Sequence, residues 1–196
     1  MRLDAALLVV ATFALFIARP DGIIAGSSRN AVVVRVQAKL QHIEKNAGLA
    51  HPDRMPTEFS DEEINAYFAA GEVKLPAGVQ SVTFEEQPGV VTASCRVDFD
   101  KVKAGQRSAN PLLSLFSGIH DVVVVANARG SAGQGAVEVQ SVMLDEVEIP
   151  RFVLELFVEK FLQPKYPDIG LDSHFPLPQK IDAAVVGAQK LSVIQK

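Results

Sequence analysis

Tryptophan is absent from the 196 residues, tyrosine occurs twice and cysteine once. A lone cysteine closes no internal disulfide, so the chain is not a disulfide scaffold and must be held by its core. Cys95 sits in the alternation Val91, Ala93, Cys95, Val97, Phe99 and reads as small core filler; a nucleophile would need an activating histidine beside it. Basic residues are not in excess either, with 19 Lys and Arg against 23 Asp and Glu and a net charge of −4. No uniform positive field exists to hold phosphate backbones, and no nucleic-acid partner is expected. The four histidines, His42, His51, His120 and His174, are scattered outside any HExxH or CxxC context, so neither a metal site nor a cofactor is expected. Gly130 to Gly135 lacks the Lys-Ser/Thr of a phosphate loop and reads as a hairpin turn. Ser117, His120 and Asp121 are close in sequence without the spacing of a nucleophile elbow. Asp98 and Asp100, expected on one strand face, and the group Asp145, Glu146 and Glu148 read as solvated edge charges. Nothing here argues for an enzyme.

What is present is a hydrophobic content of 48% with 21% charged residues, the composition of one globular domain. The uncharged run Ala5 to Ala18 falls short of the roughly 20 residues that a membrane helix needs, and suits a signal peptide. Arg19-Pro20-Asp21-Gly22 and Ile23-Ile24-Ala25 follow it, which places a cut after Ala25. Asp4 weakens the positive end, so an uncleaved anchor over residues 5–18 is the alternative. Either way the working domain is expected outside the cytoplasm, periplasmic or secreted.

The chain then divides into residues 26–56, an amphipathic helix and linker, and residues 57–196, a single α+β domain. Val32, Val33, Val36, Leu40 and Ile43 recur at helical spacing. Ser60 and Glu63 make a capping box for a helix over Asp61 to Ala69. Period-two patterns predict a hairpin of Val79 to Gln87 with Val90 to Phe99, then long strands over Ile119 to Arg129 and Gln134 to Ile149 with a register shift near Asp145. Residues 104–117 are expected to be a covering loop or a half-turn of helix. Short strands over Ala183 to Val186 and Lys190 to Ile194 end the chain. Strands well beyond the usual five or six residues predict a twisted, curled sheet.

Pro150 can open a helix over Arg151 to Gln163, apolar except for the stripe Arg151, Glu155 and Glu159. A helix so apolar must be covered on several sides, either as plain core or as the lining of an apolar cavity.

The order of these parts resembles small bacterial envelope proteins of unknown function. It is carried by Phe59-Ser60-Asp61-Glu62-Glu63-Ile64-Asn65-Ala66-Tyr67-Phe68, by Ile149-Pro150 opening the apolar helix, and by Phe175-Pro176-Leu177-Pro178 before the last strands. Pro178-Gln179-Lys180-Ile181 stands where that family has Pro-Tyr-Gly-Ile. The similarity spans about residues 57 to 195, and the family's sheet around a long helix is similar to half of a tubular lipid-binding module (TULIP, or bactericidal permeability-increasing protein-like). The resemblance implies a strongly curved antiparallel sheet wrapped around the apolar helix and a groove for acyl chains. Its implied walls are Phe152, Leu156, Phe157 and Phe161 of the helix and Val91, Val97, Val123, Val125, Val139 and Met143 of the strands. Non-catalytic binding of lipid or another apolar ligand, with contact to a membrane surface, is the function expected from it. A structural or partner-binding protein with a fully packed core and a lipid or glycan hydrolase are the alternatives.

Overall fold

In the computed structural model, which describes residues 31–106, 108–164, 166–167 and 170–196, the first helical pattern becomes α1 (Ala31–Ala47). The apolar run over residues 5–18 and the expected cut lie outside the described residues. Val33, Val36 and Ile43 of α1 are buried in the common core, so the helix is docked on the domain. Two buried amides fasten its end. Asn46 Nδ2 donates to Gln195 Oε1 at 2.8 Å, and Gln195 Nε2 donates to the Ile43 carbonyl at 2.9 Å.

A short strand that the sequence pattern did not suggest, β1 (Thr57–Ser60), leads into α2 (Asp61–Ala69). The capping box is formed in both directions: the Glu63 N–H donates to Ser60 Oγ at 3.2 Å and the Ser60 N–H to Glu63 Oε2 at 3.1 Å. The hairpin of β2 (Val79–Gln87) and β3 (Val90–Asp98) follows as expected. Asp98 and Asp100 do not share a strand face. Asp98 accepts from the Lys101 N–H as the cap of a one-turn helix, α3 (Phe99–Val102), and Asp100 lies within that turn. A 3-10 turn over Pro111–Leu115 then precedes β4 (Ile119–Ser131) and β5 (Gln134–Leu144).

The strand expected to run on to Ile149 stops at Leu144. Asp145 and Glu146 both take positive φ, 47° and 68°, and reverse the chain into β6 (Val147–Glu148). Two such residues in succession make the tight turn whose twist suits a hairpin. The register shift falls earlier than expected, between Val125 and Ala126 of β4, where Gln140 is the extra residue of β5 between Val139 and Ser141. Pro150 precedes α4 (Arg151–Phe157), which widens into a π-helical turn over Val158–Leu162. β7 (Asp172–Pro176), β8 (Ile181–Gly187) and β9 (Lys190–Gln195) complete the described elements.

The architecture is mixed α+β, with few helices and one large, open antiparallel sheet of nine strands among the described residues. Its order is β1-β9-β8-β4-β3-β2, while β5 pairs with the far edge of β4 and carries β6 and β7. β4 is the hub. Gly130 pairs with Gly135 of β5 on one edge, so its partner Ala184 of β8 must occupy the edge that β3 has vacated beyond Asn127. A Cβ on Gly130 would stand 2.9 Å from the Ala184 Cβ and 3.0 Å from its backbone nitrogen, so this junction needs glycine for close approach.

Candidate functional site

Strand register determines which of the expected wall residues can meet. Val91 and Val97 of β3 pair with Ala126 and His120 of β4, on the face that carries Ala93, Cys95, Val122 and Val124. That is the core face, and both valines are buried. Val123 and Val125 alternate to the other face, where Met143 stands opposite Val123 and Ser141 opposite Val125. Those three apolar residues are half-buried. The bulge returns Val139 to the inner side, where it is half-buried beneath the start of α4. On α4 itself Phe157 and Phe161 are buried, Phe161 to 1% exposure, whereas Leu156 is half-buried and Phe152 is 56% exposed. The ten residues therefore divide between the core, the opposite face of the sheet and the outside of α4.

Phe157 sits in a packed ring cluster, 4.3 Å between centroids from Phe116, 5.6 Å from Phe99 and 5.3 Å from Phe161. Two hollows adjoin α4. The first, about 50 Å³, lies between Val139, Ile149, Leu154 and Leu171 at the start of the helix. The second, about 250 Å³ and open to solvent, lies along Glu155, Val158, Glu159 and Gln163. Both are smaller than the roughly 300–1,000 Å³ of enclosed small-molecule sites. Arg151 fastens the start of α4: it donates to the Val139 carbonyl at 3.1 Å, to Asp172 Oδ2 at 2.7 Å and to Glu155 at 3.2 Å.

The polar groups near this end are occupied by structure. His120 Nε2 lies 2.7 Å from the Ser117 carbonyl, which only accepts, and Nδ1 lies 2.5 Å from Asp145 Oδ2. Both ring nitrogens thus face acceptors, an arrangement that favours the protonated imidazole. The Asp145 bond and then the Ser117 carbonyl push its pKa up, and the same bond draws that of Asp145 down. Ser117 Oγ donates to the Ser114 carbonyl, and Asp121 pairs with Arg96 at 2.8 Å, so the three residues close in sequence make no nucleophile–base–acid relay. Cys95 is buried, with burial pushing its thiol up to about 12. Among the described residues no three His, Cys, Asp or Glu side chains gather where they could hold a metal ion, and no helix is long and apolar enough to cross a membrane.

Apolar side chains beyond the expected wall residues are exposed as well. Leu112 and Leu115, three apart on the 3-10 turn, are 41% and 47% exposed, and Ile119 and Val147 are also exposed. With Phe152 they stand on the segments that meet round the ring cluster. The 3-10 turn leads into Phe116, α4 carries Phe157, the start of β4 brings His120 within 6.0 Å of the Phe99 ring, and Asp145 ties the β5–β6 turn to His120. The sequence signal for these positions is Leu112-Leu113-Ser114-Leu115-Phe116, an apolar run in a segment read as a covering loop; only Leu113 and Phe116 of its apolar residues turn inward. No family model matches this chain, and no curated protein and no solved structure matches it.

Proposed function

We propose that the protein is a non-catalytic binder of lipid or another apolar ligand in the bacterial cell envelope, and that it meets the ligand at its surface. It would act outside the cytoplasm, after cleavage behind Ala25 or tethered by residues 5–18. In this reading the sheet curls about α4 as the family resemblance implies, the space beneath the helix is filled by Phe157 and Phe161, and the ligand contacts the outside of α4. The supporting observation is Phe152, a large aromatic 56% exposed on a helix whose Val153, Leu154 and Phe157 are buried, with Leu112, Leu115, Ile119 and Val147 exposed on other segments near the ring cluster. Large apolar side chains exposed on neighbouring segments are the material of a contact surface. Each CH₂ that such a surface removes from water contributes about 0.8 kcal/mol, so a few acyl carbons suffice for measurable binding without an enclosed cavity.

A second reading, a structural or partner-binding envelope protein, is favoured by the packed ring cluster and the small size of the hollows beside α4. Native mass spectrometry of the secreted mature protein, followed by solvent extraction and lipid analysis, separates the two. Binding predicts stoichiometric phospholipid or fatty acid, and Phe152→Ser is expected to lower fluorescent fatty-acid uptake about tenfold without changing the unfolding midpoint. A clean apo mass together with no uptake by the unsubstituted protein would sink the lipid reading and leave the partner-binding one.

A further inference from the structure

Glu86 lies on the core face of β2, on the same side as Phe84 and opposite Val91, and is 7% exposed. Its backbone belongs to a ring of three hydrogen bonds joining segments far apart in sequence. The Asp61 N–H donates to the Gln189 carbonyl at 3.2 Å, the Gln189 N–H donates to the Glu86 carbonyl at 2.9 Å, and the Glu86 N–H donates to Asp61 Oδ2 at 3.4 Å. The start of α2, the end of β2 and the β8–β9 turn are thereby tied at one point. The Glu86 N–H bond to Asp61 Oδ2 thus brings the two carboxyl-bearing residues to the same point. If both were ionised, neither would have a donor for its remaining oxygen: Asp61 Oδ1 and Glu86 Oε2 are buried and unpartnered.

Among the described residues the cations nearest this point are engaged elsewhere. Lys190, next to Gln189, is bonded to Glu58 at 2.8 Å, and Lys39 and Arg35 of α1 reach Glu63 at 2.6 and 3.7 Å. Glu63 itself faces Lys39 and the Ser60 N–H, while Glu62 and Glu85 are exposed. A bound divalent cation fits poorly, since calcium takes six to eight oxygens and the Glu86 carbonyl is already used by Gln189. One proton held between the two carboxyl groups would satisfy both orphaned oxygens.

We propose that the folded protein keeps Glu86 as the neutral acid, its Oε2–H donating to Asp61 Oδ1, so that one shared proton locks α2, β2 and the β8–β9 turn together and its loss in alkali unlocks them. Loss of the proton to solvent breaks the Oε2–H bond and leaves a buried Glu86 carboxylate beside the half-buried Asp61 side chain. Burial first, and the adjoining Asp61 carboxyl second, push the Glu86 carboxyl up from 4.5 to about 9. Between those values the folded state holds a proton that the unfolded chain has lost. Stability therefore falls as pH rises across that window, and the group contributes nothing to the slope below it.

Thermal unfolding from pH 5 to 10, with and without calcium, tests the lock in the unsubstituted protein and in Glu86→Gln, which keeps a donor toward Asp61 but does not titrate. The unsubstituted protein is expected to lose about 10 °C more than Glu86→Gln between pH 6 and 9.5. Titration of other groups cancels in that difference. Parallel curves would overturn the proposal, as would a calcium-dependent rise of the unfolding temperature at pH 9.5 that Glu86→Gln lacks, which would mark a cation site. Should Glu86→Gln not fold, carbon-13 titration of the Glu86 carboxyl in the native protein decides: a midpoint above about 7 supports the lock, and one near 4.5 refutes it.

Discussion

Asn65 does the work of a missing strand. β2 ends the sheet, and its outer backbone would otherwise meet water or another chain. Asn65 Nδ2 donates to the Phe84 carbonyl at 2.8 Å while its Oδ1 accepts from the Phe84 N–H at 2.7 Å, so one side chain satisfies both groups of one residue. An amide alone presents donor and acceptor at that spacing. Asn65→Ala is expected to cost about 2–4 kcal/mol in urea unfolding, since it strands two backbone groups, and Asn65→Asp should recover only the acceptor half. The sequence marked Asn65 as part of a family-like motif without showing this role. The reason is general: the side chain's partner lies nineteen positions away on an edge that only the folded sheet defines.

At the scale of elements, α4 was legible as a helix because its polar residues form one narrow stripe. Its burial was not, because periodicity says that a face is apolar and leaves open what covers it. Phe99, Phe116 and Phe161 cover Phe157, whereas Phe152 is left outside. Phe157→Ala is therefore expected to cost about 3–5 kcal/mol and to lower the urea midpoint. A loss below about 1 kcal/mol would show that the ring cluster is loosely packed. The helix ends at Gln163 as the pattern has it, but regular α-helix gives way at Val158 to a wider π turn that keeps Val158, Phe161 and Leu162 buried. Likewise the turn at Asp145-Glu146 lacks glycine, so its positive φ values had no residue-type signal in the sequence.

For the molecule as a whole, α1 is an integral part although the linker behind it looked like a boundary. Val33, Val36 and Ile43 enter the shared core, Lys39 and Arg35 pair with the capping-box Glu63, and Asn46 meets Gln195 across 149 positions. Burial raises the Glu63 pKa, yet the Lys39 bond, the Ser60 N–H and the charges of Lys39 and Arg35 together bring it below its ordinary value. A chain beginning at residue 57 would expose that surface and strand Gln195 and Glu63. It is expected to unfold at a much lower urea concentration than the chain that retains α1, and an unchanged midpoint would show that residues 57–196 stand alone.

The sequence by itself determined the α+β class, the capping box, the β2–β3 hairpin and the core place of Cys95, because these depend on local period and residue type. Tertiary structure alone decided the branch at β4, the docking of α1, the division of the expected groove residues between two faces and the meeting of Glu86 with Asp61. Each of these turns on strand register or on contacts between distant segments. A shift of one residue in pairing reverses every side chain's face, and composition carries no record of it.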